Sequence, residues 1–329
     1  MDELPRRTGP RPRTAGLGHV IAQVERAFGR QLPVSSLLEG RTIERLACLL
    51  RDEPAARSPL VAIHPRGAHP PVFWVHPLSG TVYCYVELAE ALGDDRPCFG
   101  LQATGFAGGK PQTRIEDMAR RYVQEVQRLQ PAGPYRLGGW SMGGVVAFEM
   151  ARQLEERGER VALLALLDPA PPGAGADGDD SAAGEPLLGF VQHLGLWPDD
   201  LTVFGSGLSQ LDPSEQLACV LEQARRAGLV PPDLEVSELD RQLAVFTSNL
   251  EAMRHYAPAP YTGRVTLVEA AGSRHGRAMH GARWDDLALG GLVRHTVPGD
   301  HSTMLRRPHV GVLAERLTAC LHETGASTP

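Results

Sequence analysis

The fold of this chain is decided by the stretch Tyr135-Arg136-Leu137-Gly138-Gly139-Trp140-Ser141-Met142-Gly143-Gly144-Val145-Val146. Residues 139–143 read Gly-x-Ser-x-Gly, with a strand-like run before them and apolar residues at helical spacing after them. The turn at such a site is so tight that the residues flanking the serine must lack bulk, which predicts a nucleophile elbow. Ser141 then presents its hydroxyl at the positive N-terminal end of the helix, and the N–H of Met142 points at the same space as an oxyanion donor.

The Gly-x-Ser-x-Gly pattern has an ordinary explanation as well. The chain contains 36 glycines, so a glycine-rich strand–helix turn with an incidental serine would produce the same letters. A catalytic serine also needs an acid and a base later in the chain, and these decide between the two interpretations.

Length and composition exclude several classes of protein. At 329 residues the chain is long enough for one large domain with a small appendage. The net charge of −6 is mild, and the densest apolar run, Val161–Leu167, is too short to span a bilayer, so we expect neither nucleic acid nor a membrane as partner. Five scattered cysteines without a C-x-x-C pair predict buried thiols in a reducing cytoplasm, with no disulfide, metal site or bound cofactor.

The first part of the chain differs from the rest. Residues 1–18 are rich in proline, arginine and glycine and are predicted to be disordered. Residues 19–52 contain two helix-like runs and are too few to enclose much of a core alone. Residues 53–59 resemble a linker, and a larger domain is predicted for residues 60–329.

From Leu60 onward, strand-like and helix-like runs alternate, which predicts an α/β domain with a mostly parallel sheet and helices on both faces. The first two strand-like runs are separated by prolines and are predicted to pair as a hairpin. The predicted strands are Leu60–His64, Val72–His76, Cys98–Ala103, the strand before Ser141, Val161–Leu167, Arg264–Glu269 and Leu292–Val297.

The alternation is interrupted between about residues 170 and 262. A loop of glycine, alanine, aspartate and proline is followed only by helix-like runs, at Leu187–Leu194, Pro213–Ala227 and Leu239–Tyr256. A helical insertion late in an α/β domain predicts a lid over the site. The alternative is a packing appendage with no gating role.

Two acidic residues are candidates for the catalytic acid. Asp168 directly follows the strand Val161–Leu167, and the carboxyl ends of parallel strands gather the reactive groups of an open sheet. Glu269, at the end of the next predicted strand, is the competing candidate. We predict Asp168, although an Asp-Pro pair after a buried strand is also a common turn.

The base is expected last in chain order. Of the 12 histidines, His301 follows the last predicted strand in a short loop, Pro298-Gly299-Asp300-His301-Ser302. Such a loop presents a side chain back over the edge of the sheet. Asp300 is interpreted as a turn residue, and His295, inside the strand, as structural.

These residues predict an acyl-transfer mechanism. His301 takes the proton of Ser141, Asp168 holds the imidazole tautomer, and Ser141 attacks a carbonyl to form an acyl-enzyme. The second oxyanion donor is expected in the loop His76–Gly80, where we predict the N–H of Leu78, with Ser79 as the alternative. Pro77 has no N–H to donate.

Four linked motifs resemble the type I thioesterase domains that end nonribosomal peptide synthetases and polyketide synthases. The similarity runs from about Leu60 to His322 and also includes the Tyr256–Val268 region. The motifs are Val75-His76-Pro77-x-x-Gly80, Gly139-Trp140-Ser141-Met142-Gly143-Gly144, Leu166-Leu167-Asp168 and Val297-Pro298-Gly299-Asp300-His301-x-Thr303-Met304-Leu305.

This resemblance implies an α/β-hydrolase fold with a helical lid and a substrate delivered as a thioester on a carrier domain's phosphopantetheine arm. The implied partners are an acyl or peptidyl carrier protein, the upstream synthetase modules and a small acyl or peptidyl substrate. Release by water gives a free acid, and release by an internal nucleophile gives a lactone or a lactam. The sequence does not decide between these outcomes.

The head also resembles part of a carrier domain, through Phe28-Gly29-Arg30-Gln31-Leu32-Pro33-Val34 and Thr42-Ile43-Glu44-Arg45-Leu46-Ala47. The family's phosphopantetheinylated serine would lie near Arg13 to Gly16, yet the first serine of this chain is Ser35. We therefore predict that this partial carrier bears no prosthetic arm.

Other functions compete with chain termination. Type II editing thioesterases also resemble the chain, but their acid usually follows the later strand, which ends here in Glu269. An esterase acting on free small esters is disfavoured by the carrier-like head. A hydrolase fold kept as an interaction module is disfavoured by the intact Ser141, Asp168 and His301.

Overall fold

A computed structural model describes residue 47 and residues 58–107, 109–169, 186–194, 211–230, 232–273 and 281–323. The predicted disordered segment and nearly all of the predicted carrier-like head lie outside these ranges. The described strands are β1 (Leu60–His64), β2 (Val72–Val75), β3 (Cys98–Leu101), β4 (Tyr135–Trp140), β5 (Val161–Leu167), β6 (Val265–Ala270) and β7 (Leu292–Val297).

The three helices that the sequence predicts between residues 187 and 256 are present, with boundaries that shift by a few residues. The helix Gly281–Leu287 was not among the predicted elements. The described helices are α1 (Val86–Ala91), α2 (Ile115–Leu129), α3 (Met142–Glu155), α4 (Pro186–His193), α5 (Pro213–Arg226), α6 (Val236–His255), α7 (Gly281–Leu287) and α8 (Val310–Glu323). Short 3₁₀ turns occur at Tyr83–Tyr85 and Thr104–Ala107. None of the helices in the described ranges is long and apolar enough to cross a bilayer.

The described strands form one sheet in the order β1-β3-β2-β4-β5-β6-β7. Every neighbouring pair is parallel except β1 and β3, which are antiparallel. Strands β2, β4 and β5 are almost entirely buried, as expected of central strands covered on both faces. This mostly parallel sheet with helices on both sides is the α/β arrangement predicted from the sequence.

The predicted hairpin between the first two strands is wrong. All four residues of β2 are buried, and the strand lies inside the sheet between β3 and β4. The chain leaves β2, passes through α1 and returns parallel to β2 as β3, and β1 adds to the outer side of β3. Because β2 and β3 are joined by a crossover through α1, the strands β1 and β2 need not be neighbours in the sheet although they follow each other in sequence.

Two apolar layers enclose the sheet. One layer contains residues of α2 and α3 packed on Phe73, Leu137 and Leu166, and the other contains residues of α1 and α8 packed on Trp74, Ala165 and Val268. Alternate residues of the same strands therefore face opposite layers, because side chains alternate along a strand. The packing holds the carboxyl ends of β2, β4, β5 and β6 in fixed positions beside one another.

The described helices between β5 and β6 form a separate apolar cluster. Helices α4, α5 and α6 pack together through buried residues that include Phe190, Leu221 and Phe246, and the rings of Phe190 and Phe246 lie 5.6 Å apart between centroids. Within the described ranges of this segment the structure contains helices and no strands, in agreement with the sequence pattern. A gating role for this predicted lid stays a prediction.

The glycines around Ser141 are required by close backbone contacts. A Cβ atom on Gly139 would lie 2.1 Å from the carbonyl of Gly143, and a Cβ on Gly143 would lie 2.2 Å from the carbonyl oxygen of Val75. These neighbours are backbone atoms of packed elements, so they cannot move aside without displacing β2 or α3. The pattern Gly-x-Ser-x-Gly is therefore a packing requirement of the strand–helix turn.

Gly143→Ala should destabilise the fold strongly, because the added methyl group overlaps the Val75 carbonyl. We expect a loss of more than about 3 kcal/mol in the free energy of unfolding, or failure to fold. Gly311→Ala is the matched control, since a Cβ there meets no atom within 4 Å and alanine favours a helix. Urea unfolding of both variants tests this, and equal stabilities would contradict the packing argument.

Candidate active site

Ser141 occupies the turn between β4 and α3. Its backbone has φ 57° and ψ −128°, a region that non-glycine residues rarely adopt and that costs on the order of 1–3 kcal/mol. The N–H of Ser141 donates to the carbonyl of Leu167 (2.9 Å), which ties the turn to β5. Because α3 begins at Met142, the N–H of Met142 has no acceptor within the helix and is available to an oxyanion.

The structure brings together Asp168 and His301, which are 133 positions apart in the chain. The Nδ1 atom of His301 lies 2.8 Å from Oδ2 of Asp168. The other carboxylate oxygen accepts the N–H of Ala270 (3.1 Å), and the Asp168 N–H donates to Val268 (2.7 Å). Asp168 is thus held between the ends of β5 and β6, with a positive φ of 45°.

The environment of Asp168 keeps its carboxylate charged. Its side chain is only 4% exposed, and burial alone would raise the pKa. The hydrogen bond from His301, the charge of that ring and the Ala270 N–H outweigh burial, so the pKa of Asp168 lies below its usual value. The carboxylate is therefore ionised at neutral pH and accepts a hydrogen bond from the Nδ1–H group of His301, which leaves Nε2 as the ring nitrogen that can take a proton.

The competing acid has a different partner. Glu269 lies inside β6, and its Oε2 atom lies 3.4 Å from Nη1 of Arg294 on β7. Asp300, beside His301, is a turn residue as predicted, because its Oδ1 atom accepts the N–H groups of Ser302 and Thr303 (both 3.0 Å). His295 lies in β7, as expected of a structural histidine.

Trp140 contacts the imidazole of His301. The two rings lie 4.8 Å apart between centroids, with planes inclined by 32°. Since Trp140 immediately precedes Ser141, its ring holds His301 against the strand that carries the serine. In the sequence, only the position of Trp140 next to Ser141 points toward the site.

The loop after β2 is a tight turn, and hydrogen bonds hold the carbonyl oxygen of its first peptide, which joins Pro77 and Leu78. The carbonyl oxygen of Pro77 accepts the N–H of Gly80 (2.9 Å) and lies 2.8 Å from Nδ1 of His76. Because a peptide is planar and trans, the bonds to this carbonyl also restrain the opposed N–H of Leu78. The loop adjoins the start of α3, since a Cβ on Gly143 would lie 2.2 Å from Val75 and 2.9 Å from His76 carbonyl oxygens.

His76 is fully buried and is held in one tautomer. A carbonyl only accepts, so Nδ1 of His76 carries the proton that reaches Pro77, and Nε2 accepts from the Tyr122 hydroxyl at 2.7 Å. Burial lowers the pKa of His76 to about 4, because the charged ring is poorly solvated there. His76 is therefore neutral at physiological pH and serves as a fixed support for the loop.

Burial of neutral His76 should make folding stability depend on pH. Its pKa is lower in the folded chain than in the unfolded chain, so the unfolded chain binds more protons between pH 6.5 and about 4. Stability is therefore lost as the pH falls through this window, by up to about 3 kcal/mol from this residue. Urea unfolding at several pH values should show a shallower loss for His76→Asn than for the wild type.

The control for this prediction is His69→Asn, since His69 is an exposed histidine on the β1–β2 loop. The free energy of unfolding of His69→Asn should decrease as steeply as that of the wild type when the pH is lowered. A His76→Asn profile parallel to the wild type would contradict the assignment of the window to His76.

Tyr85 links the loop and the elbow. Its hydroxyl donates to the carbonyl of Val75 (2.5 Å) and accepts the N–H of Trp140 (2.7 Å), and its side chain is fully buried. One phenol therefore connects the end of β2 with the residue before Ser141. No local sequence signal marks this role, because the three residues meet only in the folded sheet.

The family model described as a thioesterase domain matches residues 70–321. Chondramide synthase cmdD from Chondromyces crocatus is 30% identical over 315 residues, which cover 91% of this chain and 8% of that protein. The chain spans 8% to 33% of the lengths of the first curated relatives that it matches.

Two solved structures resemble the fold. The NocB thioesterase domain in a covalent complex with a fluorophosphonate nocardicin G analogue has a TM-score of 0.60 and 29% identity, and covers 80% of this chain and 99% of that one. The four-domain nonribosomal peptide synthetase AB3403, bound to AMP and glycine, has a TM-score of 0.71 and 27% identity, and covers 95% of this chain and 24% of that one.

Proposed function

The chain belongs to the thioesterase domain family, and from that premise we propose that it releases a finished acyl or peptidyl chain from the phosphopantetheine arm of a carrier domain. The observation that carries the proposal is the 2.8 Å hydrogen bond between Asp168 and His301, whose ring contacts Trp140, the residue before Ser141 on the strand–helix elbow. In this proposal His301 is the oriented base and Ser141 the nucleophile of an acyl transfer.

In the first half of the reaction, Nε2 of His301 removes the hydroxyl proton of Ser141 as Oγ attacks the thioester carbonyl. The N–H groups of Met142 and Leu78 stabilise the oxyanion. The C–S bond then breaks, and His301 returns its proton to the departing thiol of the carrier arm. The chain is left as an ester on Ser141.

In the second half, water or a hydroxyl or amine of the bound chain gives its proton to His301 and attacks the ester. The C–O bond to Ser141 breaks, and the serine recovers its proton from His301. The product is a free acid, a lactone or a lactam, respectively. Asp168 stays ionised throughout and stabilises the charged imidazole in both halves.

We also propose that the carrier and upstream modules of a multidomain synthetase are the partners of this domain. Two similarities support this proposal, one to chondramide synthase cmdD and one to the four-domain AB3403 synthetase. Each similarity covers most of this chain. In this proposal the head before residue 60 is a partial carrier without its own prosthetic arm, so the substrate arrives from a complete carrier.

The test compares one acyl chain presented on a holo-carrier protein with the same chain presented as a small free ester. We expect kcat/KM to be higher by at least about tenfold for the carrier-bound thioester, because the carrier supplies additional binding contacts. His301→Ala is the control for uncatalysed hydrolysis. A preference for the free ester would favour a small-ester esterase, and no turnover of either substrate would favour a non-catalytic interaction module.

A further inference from the structure

The proposed oxyanion loop is contacted by a helix from the predicted lid. Asn249 lies on α6, in the segment between β5 and β6, and its Nδ2 atom donates to the carbonyl of Leu78 at 2.9 Å. The two residues are 171 positions apart, so this contact joins distant parts of the chain. Asn249 is only 1% exposed.

A buried asparagine in the middle of a helix needs an explanation. Burying an amide costs free energy unless the group finds a hydrogen-bond partner, and a leucine at this position would pack without that cost. The partner found here is a backbone carbonyl of the loop that carries the proposed oxyanion donor. The amide of Asn249 therefore makes a hydrogen bond that an apolar residue at this position could not make.

The Leu78 carbonyl that Asn249 bonds belongs to the central peptide of a β-turn. The N–H of Gly80 bonds to Pro77, so residues 77–80 form a turn in which the Leu78–Ser79 peptide is central. Rotation of the central peptide interconverts the two commonest kinds of β-turn. The preceding peptide is already held through Pro77 by His76 and Gly80, and Asn249 holds the central one.

Helix α6 is anchored along one face to the main body of the domain. A Cβ on Gly80 would lie 2.5 Å from a methyl carbon of Val245, and Ala252 belongs to the core layer formed with α2 and α3. The hydroxyl of Tyr256, just after the helix, donates to Glu149 on α3 (2.8 Å). Asn249 therefore lies between fixed contacts, which keeps its amide directed at the loop.

The same helix belongs to the cluster of the helical insertion. Leu239 and Phe246 of α6 pack with α4 and α5, and Leu78 packs against both this cluster and the core layer beneath it. A displacement of the insertion that moves α6 would therefore also withdraw Asn249 from the Leu78 carbonyl.

We propose that Asn249 is a positioning residue that fixes the oxyanion loop and makes oxyanion stabilisation depend on the docked position of α6. This proposal rests on the proposed function, because it assigns Asn249 a role in acylation of Ser141. Loss of the contact frees the central peptide of the turn, so the loop spends less time in the conformation that stabilises the oxyanion.

The test measures acyl-thioester hydrolysis and the rate of labelling by a fluorophosphonate, whose phosphoryl oxygen needs the same oxyanion donors. In Asn249→Leu we expect kcat and the labelling rate to fall together, by about 10- to 100-fold, with KM within about twofold of the wild type. Ser248→Ala, one position earlier on α6, is the control and should match the wild type. Circular dichroism and thermal unfolding verify that each variant is folded.

A second variant distinguishes positioning from packing and remains informative if Asn249→Leu does not fold. Asn249→Asp has the same shape but donates a hydrogen bond only while its carboxyl is protonated. At about pH 9, where a carboxyl group is ionised, the kcat and labelling rate of this variant should therefore lie below those of the wild type by about 10- to 100-fold.

Three results would overturn the proposal: a folded Asn249→Leu variant with unchanged kcat and labelling, a rise in KM alone, or a folded Asn249→Asp variant whose kcat and labelling rate at about pH 9 match those of the wild type. Each leaves the proposed function intact, provided that wild-type Ser141 is labelled. If the wild type itself neither labels nor turns over, the proposed function fails before the role of Asn249 is reached.

Discussion

Replacing Ser141 by alanine should lower kcat for acyl-thioester hydrolysis by on the order of 10⁴-fold or more, because the acyl-enzyme cannot form without the serine oxygen. The expected KM changes little, since the hydroxyl contributes to bond formation and not to the binding of the acyl chain. Alanine also has to adopt the φ of 57° at this turn, so thermal unfolding must accompany the kinetics.

The control for Ser141→Ala is Ser302→Ala, which removes an exposed hydroxyl from the loop that carries His301. This variant should retain activity within about twofold of the wild type. Substantial hydrolysis by a folded Ser141→Ala variant would mean that another group attacks the thioester.

Asp168→Asn should lower kcat by roughly 10³- to 10⁴-fold, while Glu269→Gln should have an effect of less than about threefold. The asparagine amide keeps the size of the carboxylate but no longer stabilises the charged ring, and its NH₂ group favours the wrong tautomer of His301. Glu269 pairs with Arg294 at the surface, where loss of an ion pair has a small effect.

Measuring both variants with the same acyl thioester tests which carboxylate supports the base. A severe defect in Glu269→Gln with a mild one in Asp168→Asn would reverse the assignment.

The residues that sequence reasoning placed best are those that follow strands. Ser141 and Asp168 come directly after predicted strands and His301 follows one in a short loop, and parallel strands collect such positions at one edge. The glycine pattern around Ser141 was also informative, because backbone contacts of 2.1 and 2.2 Å leave no room for a side chain. Local patterns of this kind carry enough information to name a candidate site.

Pairing between strands was less predictable. The run Val72–Val75 has the same local appearance whether it pairs with β1 or lies between β3 and β4, and the choice depends on how α1 packs across the sheet. The prediction of a hairpin failed for this reason. Helix boundaries differed by only a few residues, since the apolar spacing defines a helix more closely than its ends.

The supports of the site were not predictable from the sequence. Tyr85 joins Val75 to Trp140, and Asn249 reaches Leu78 from 171 positions away, so each role exists only after the sheet and the helical insertion have packed. His76 was visible within a motif, but its burial and its bond to Tyr122 were not. No regular spacing in a single sequence identifies residues with such roles.

The most direct test of the account is to locate the acyl group during turnover. Trypsin cleavage after Arg136 and Arg152 yields a peptide, residues 137–152, in which Ser141 is the sole hydroxyl or thiol side chain. Wild-type protein quenched early in its reaction with an acyl thioester should carry the acyl mass on this peptide, and His301→Ala should acquire it at least about 10³-fold more slowly. Turnover with the acyl group on any other peptide, or with no acylated peptide at all, would contradict the account.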